Sequence, residues 1–419
     1  MLPVVIFVGM LVAIFLLDAV APLYYLLFHD ALLTRLASWV VLPSQLLFHG
    51  WSLVIPGFHV PGASTQDVIS GWETTGLLFA AILLMFLVYL LALRYLPRRV
   101  SPRFIFLSTL LPGLFLVFVP VVTSADVFSY ISYARLDVIY HQNPLTALPI
   151  FYPRDPVYPY VYWIRQPSAY GPVWAVITIV LQTLVGGPSA AGIAPVVLAL
   201  RVFGLVMHLG STLLIWFISG ALMGENAPFR REKRVFLTLA FAWNPLLLFE
   251  ACVNAHNDAA VLFLILLTLW VLVRGSQRSS TLSSTSSPPV LPAQTVLQAA
   301  ILFALATCLK INIVVLLPGL LLFLWMQPHR WRALSGASVA YLGTIVLLYL
   351  PFWQNGAAFN VFRVNPGVYR TDNSLAEFAT RLYNGLVVMP GNRAAPIIDS
   401  SAELFIHTVS IDLFVVLFV

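Results

Sequence analysis

Apolar runs long enough to cross a bilayer, which takes about 20 helical residues, dominate the chain. They fall at about 3–28, 75–96, 104–122, 173–187, 195–222, 234–252, 259–274, 296–309, 311–326, 335–353 and 404–419. No water enters the hydrocarbon to satisfy a backbone N–H or C=O, so such runs have to be helical. The strand-like alternation of an outer-membrane barrel is absent. Hydrophobic residues make up 60% of the chain and charged residues 9%, against roughly 25% charged in soluble domains. The reading is an all-α polytopic membrane protein with about 11 transmembrane helices.

The formal charge of +6 is not a nucleic-acid signal, because the basic residues sit in short loops between spans, where the positive-inside rule places them. Arg94, Arg98, Arg99 and Arg103 mark one cytoplasmic loop. Arg230, Arg231, Lys233 and Arg234 mark a second, and Arg330 and Arg332 a third. The span 104–122 then exits, and Asp126 emerges outside. Two runs, 173–187 and 195–222, lie between that outer loop and the cytoplasmic loop at 223–234, where parity asks for an odd number. The shorter run, 173–187, therefore reads as re-entrant or as stopping partway. The stretch 31–60, with His29 just before it and Arg35, Pro43, His49 and Pro56 within it, reads as helices lying at the outer surface. The first run lacks a basic leader and a small-residue cleavage site and reads as a retained span. Cys252 and Cys308 permit one disulfide but read singly as small buried hydrophobes.

The chain divides into three segments on this basis. Residues 1–274 form an N-terminal transmembrane module with an extracytoplasmic loop at 123–172. Residues 275–295, rich in Ser, Thr and Pro, read as a flexible cytoplasmic linker. Residues 296–419 form a C-terminal module with an extracytoplasmic loop at 354–403.

Polar residues that could carry chemistry collect on the outer face. Asp126 follows a span, where a carboxylate meets both lipid and water; it could equally be a helix cap. Asn254, His256, Asn257 and Asp258 crowd a second boundary, with Glu250 one turn earlier. A cap there would not need the histidine. His256 and Asp258 alone offer too few ligands for zinc, so no cofactor is expected, although a divalent metal is left open. Lys310 divides 296–326, which as a single helix would be about 46 Å long, so two short helices are expected to meet there with Lys310 facing outward. A snorkelling lysine is the alternative. The outer loop 354–403 brings Arg363 and Arg370, whose guanidinium forks suit phosphate, although a solvated loop carries such charges too. Together the carboxylate, the His/Asn/Asp group, the lysine and the arginines are what a transfer from a lipid phosphate requires. Asp126 would take a proton. Lys310, His256, Asn257, Arg363 and Arg370 would bind the donor phosphate.

Several stretches resemble, in order, a known family. They are S-A-D-V-F-S-Y at 124–130, the Asn143–Pro144 pair, R-D-P-V-Y at 154–158, P-S-A-Y-G-P-V-W at 167–174, W-N-P-L-L-L at 243–248, N-A-H-N-D at 254–258 and the Lys of C-L-K-I-N at 308–312. This pattern is similar to the polyprenol-phosphomannose-dependent α-(1→6)-mannosyltransferases, membrane glycosyltransferases of the GT-C type. Asn254 departs from it, standing where the family more often has a small residue such as Gly. The resemblance implies a multi-pass protein of the cell membrane with an extracytoplasmic active site and Asp126 as catalytic base. It also implies a polyprenyl-phosphate sugar donor, a glycan or glycolipid acceptor, and inversion at the anomeric carbon. Tyr130, Arg135, Asn143, Tyr170 and Asp258 are the expected substrate contacts. Arabinose or glucose is the alternative sugar. A transporter or lipid flippase is the alternative class, and it would call for internal repeats and charges near the midplane.

Overall fold

The computed structural model describes residues 1–20, 71–119, 124, 126–224, 227–282 and 291–359. Among them there is no strand, and the helices run in the order α1 (Leu2–Val20), α2 (Gly71–Tyr95), α3 (Pro102–Val117), α4 (Asp126–Val138), α5 (Pro172–Val185), α6 (Ile193–Leu222), α7 (Arg230–Ala242), α8 (Pro245–Cys252), α9 (Asp258–Leu282), α10 (Ala293–Leu309), α11 (Leu317–Trp325) and α12 (Arg330–Tyr349). The protein is thus a helical membrane protein. Four described spans are long and apolar enough to cross a bilayer: Gly76–Tyr95, Ile193–Leu222, Asp258–Gln277 and Arg330–Phe352. The bent pair α7–α8 makes a fifth if it counts as one span. The other apolar helices among the described residues are shorter, at 10–17 residues. The expected segments 31–60 and 404–419, and the loop residues Arg363 and Arg370, lie outside the described residues.

Local chemistry sets the boundaries. Ser101 caps α3 by accepting from the Phe104 N–H at 3.2 Å, and Pro102 opens the helix. The bend of 45° between α7 and α8 falls at Asn244–Pro245. Proline cannot continue a helix there, and the Asn244 side chain caps the new one from Leu246 and Leu247. Lys310 is extended (φ −148°, ψ 113°) between α10 and a 3₁₀ turn, Ile311–Leu316, that leads into α11. Two short elements do meet at this residue. At 14 residues, α5 is about 21 Å long and too short to cross a core of about 30 Å.

The Ser/Thr/Pro-rich stretch expected as a linker is helical at both ends, since α9 runs to Leu282 and α10 opens at Ala293. Residues 283–290 lie outside the described residues. Across the stretch, Leu272 of α9 shares a core with Val296 and Phe303 of α10 and Tyr341 of α12. Serine and threonine are only modestly unfavourable in helices, and packing against neighbours outweighs them.

The long helix α6 sits at the centre and touches α3, α4, α5, α7, α8 and α9. Gly204 on it lets α8 come so close that a Cβ would overlap the Ala251 carbonyl, the small-residue device of membrane helix pairs. Arg201, one turn away and buried, donates to the carbonyls of Val117 (2.9 Å) and Val119. It thereby satisfies the C-terminal end of α3. Gly204→Leu should force α6 from α8 and cost about 1–3 kcal/mol, seen as a lower midpoint in thermal unfolding of the purified protein. Gly343→Leu, which meets open space, should leave the midpoint unchanged.

Candidate functional site

Four irregular backbone segments converge at one end of the helices. The first is the start of α4, where Asp126 occupies the opening turn and its N–H contacts the Ser124 hydroxyl at 3.3 Å. The second is the turn from α8 to α9. Ala255 there takes a left-handed conformation (φ 54°), costly for a residue with a Cβ. That turn brings the His256 N–H back onto the Glu250 carbonyl at 2.9 Å. The third is the loop 167–171, and the fourth the junction at Lys310. These last two touch through backbone: Gly171 N–H donates to the Leu309 carbonyl at 3.2 Å. A Cβ on Gly171 would overlap the carbonyl of Cys308, so glycine is what permits the approach.

The His256 ring lies between two carboxylates. Its Nδ1 is 3.7 Å from Asp126 Oδ2 and its Nε2 is 3.3 Å from Glu250 Oε2. The Tyr130 hydroxyl is 3.5 Å from Nδ1. Asn254 donates to Glu250 Oε2 at 3.1 Å and steadies it. The three ionisable side chains are each partly exposed, from 20% for His256 to 35% for Glu250, so a substrate can reach them. Lys310 Nζ donates to Asp258 Oδ1 at 2.7 Å. Tyr170 links the two groups, since its ring packs edge-on to Tyr130 at 4.9 Å. Its hydroxyl feels the charges of both Asp126 and Asp258. Burial, followed by the charge of Asp126, pushes the Tyr170 phenol up. Burial, then Tyr170 and Asp126, pushes the Tyr130 phenol well up. Both are therefore neutral donors at physiological pH. Asn257 is buried, and its amide N and O have no hydrogen-bond partner.

The structure thus brings Asp126, Tyr130, Tyr170, His256, Asn257, Asp258 and Lys310 to one end. Two expected substrate contacts lie elsewhere in the scaffold. Arg135 is 1% exposed. Its Nε–H donates to both oxygens of Asp155 at 3.0 Å. Its Nη atoms donate to the carbonyls of Gly187 and Pro188 at 2.7 Å. Asn143 donates to the Phe352 carbonyl and accepts from Leu145 N–H, both at 2.9 Å. Each ties the 139–171 loop to a neighbouring element. The residue that sequence reasoning leaves out of the site is Glu250. Its position one turn before the His/Asn/Asp group is the available signal. Among the described residues, no group of three or more His, Cys, Asp or Glu is disposed to hold a metal ion. Both cysteines are buried and unlinked.

Removing one partner of a buried ion pair leaves an uncompensated charge and costs about 3–5 kcal/mol. Arg135→Met should therefore strip Asp155 of its partner, free the two carbonyls and lower the midpoint of thermal unfolding sharply. An unchanged midpoint would show that the pair does not anchor the loop.

Residues 50–327 match the family model described as alpha-(1→6)-mannopyranosyltransferase, N-terminal domain. No curated protein and no solved structure matches the chain. The matched segment covers well over half of the sequence and contains Asp126, Tyr130, Tyr170, Glu250, His256, Asn257, Asp258 and Lys310, so the chain belongs to this mannosyltransferase family.

Proposed function

We propose that the protein is an inverting transferase that moves mannose from a polyprenyl-phosphate donor to a glycan or glycolipid acceptor on the extracytoplasmic side of the cell membrane. The observation that carries this reading is Asp126, solvent-accessible and 3.7 Å from an imidazole that Glu250 flanks on its other side, at the same end as Lys310. The residues at this end sit beside apolar helices, where a lipid-borne donor and a polar acceptor can meet.

In the proposed step the Asp126 carboxylate takes the proton of an acceptor hydroxyl. The oxygen attacks the anomeric carbon as the bond to the phosphate breaks, and the electron pair leaves on polyprenyl phosphate. Lys310 is the cation within reach of the growing phosphate charge, with the His256 ring and the Asn257 amide beside it. Lys310 would share its ammonium between Asp258 and the donor. The neutral Tyr130 and Tyr170 hydroxyls and the unpartnered Asn257 amide are the groups suited to sugar or phosphate oxygens. A single displacement inverts, so a β-linked donor yields an α-linked product.

Asp126→Asn keeps the size and removes the base. Transfer by the purified variant should fall by about 10²–10⁴-fold, with thermal stability retained. A variant that transfers at the native rate, or an NMR spectrum of the product showing retained configuration, would refute the single-displacement scheme. Lys310→Met should weaken donor binding by about 2–5 kcal/mol and leave the acceptor's affinity nearly unchanged. Titration of polyprenyl-phosphomannose against variant and wild type reads the difference. Equal affinities would remove Lys310 from the phosphate site.

A further inference from the structure

At the other end of α3 from Asp126, the C-terminal turn of α2 and the start of α7 enclose a cleft of about 690 Å³. Its lower wall is apolar, formed by Leu90, Leu93, Phe236 and Leu237. Three of these also lie on the helices' outer surface: Leu90 is 57%, Phe236 42% and Leu237 43% exposed. On a membrane helix that surface meets acyl chains. The rim is cationic, with Arg94, Arg98 and Lys233 around a single carboxylate, Glu232. Arg98 takes that carboxylate at 2.9 Å. Among the described residues, no carboxylate pairs with Arg94 or Lys233.

Two more arginines of this basic end are engaged in the fold. Arg230 donates to the Gly220 carbonyl and Arg234 to the Trp216 carbonyl, at 2.7 and 2.8 Å. They close the C-terminal turns of α6, and Arg234 also lies over the Trp216 ring at 3.8 Å. Helix capping and ion pairing thus account for Arg98, Arg230 and Arg234, while Arg94 and Lys233 border the cleft itself. A positive rim over an apolar wall open to hydrocarbon is complementary to a ligand that is anionic at one end and oily at the other. Free phosphate would use only the rim.

We propose that this cleft is a binding site for an anionic phospholipid, with its phosphodiester between Arg94 and Lys233 and its acyl chains along Leu90, Phe236 and Leu237. The site is separate from the Asp126 end and does not rest on the function proposed there. Basic residues at a membrane surface each contribute enough that losing two weakens binding by about thirty-fold. Native mass spectrometry of the full-length protein, titrated with dioleoyl phosphatidylglycerol or phosphatidylcholine, tests it. Arg94→Gln/Lys233→Gln should lose phosphatidylglycerol adducts by about that factor and leave phosphatidylcholine adducts unchanged. Arg94→Lys/Lys233→Arg should restore them. Both side chains are exposed, and a thermal-unfolding midpoint equal to wild type confirms that the double variant folds. Native phosphatidylglycerol binding by the double variant would overturn the proposal. So would displacement of the lipid by inorganic phosphate, or a preference for polyprenyl phosphate.

Discussion

Two residues one turn apart on α6, Arg201 and Gly204, fix the geometry of everything around Asp126. Positions i and i+3 share a helix face. From that face Arg201 holds the carbonyls at the end of α3, the segment that runs on towards Asp126. Gly204 admits the backbone of α8, which carries Glu250 and leads to His256. The two acidic arms of the site come from segments far apart in the chain. They are brought to one register because a single central helix receives both. A buried guanidinium inside a membrane protein is costly, and here its Nη1 is taken by two carbonyls at the end of α3 that themselves need donors.

The hydrocarbon imposes the remaining division of labour. Non-helical backbone is tolerated only at the ends or inside protein, so the left-handed Ala255, the extended Lys310 and the loop at 167–171 all lie where helices stop. Chemistry follows, because irregular backbone is what turns side chains off the helix faces and towards one another. The basic end shows the complementary case. There the arginines that close α6 leave Arg94 and Lys233 to border the cleft, and the surface acquires an anion-seeking rim beside an oily wall.

How far the sequence reaches depends on the range of each interaction. The break at Lys310 is legible because an unbroken 296–326 helix would overshoot the membrane, a matter of length alone. The crowding of polar residues at 254–258 is equally local. Arg135 and Asn143 are expected as substrate contacts because polar residues between apolar runs resemble binding groups. Their partners lie far along the chain: Asp155 and Gly187 for one, Phe352 for the other. No local pattern announces that Arg135 is buried. Glu250 is visible as a carboxylate near the histidine, but its contact depends on a positive φ at Ala255, a conformation that an alanine in the sequence does not advertise. The Ser/Thr/Pro stretch misleads for the opposite reason. Its composition speaks for a coil, while tertiary packing of α9 on α10 carries helix into both its ends.

On the proposed reading of Asp126 as the base, the nitrogen of His256 that carries the proton matters. A neutral imidazole has one donor and one acceptor nitrogen. Glu250 stands 3.3 Å from Nε2 and cannot donate as a carboxylate, which favours the proton on Nε2. Nδ1 is then the acceptor, and the Tyr130 hydroxyl, kept protonated by burial, faces it at 3.5 Å. Asp126 lies 3.7 Å from the same nitrogen, beyond hydrogen-bonding range. A protonated ring would instead face both carboxylates as a donor and draw Asp126 into an ion pair. On that reading Glu250 and Tyr130 act on Asp126 through the imidazole, by favouring the tautomer that leaves the proposed base facing the acceptor.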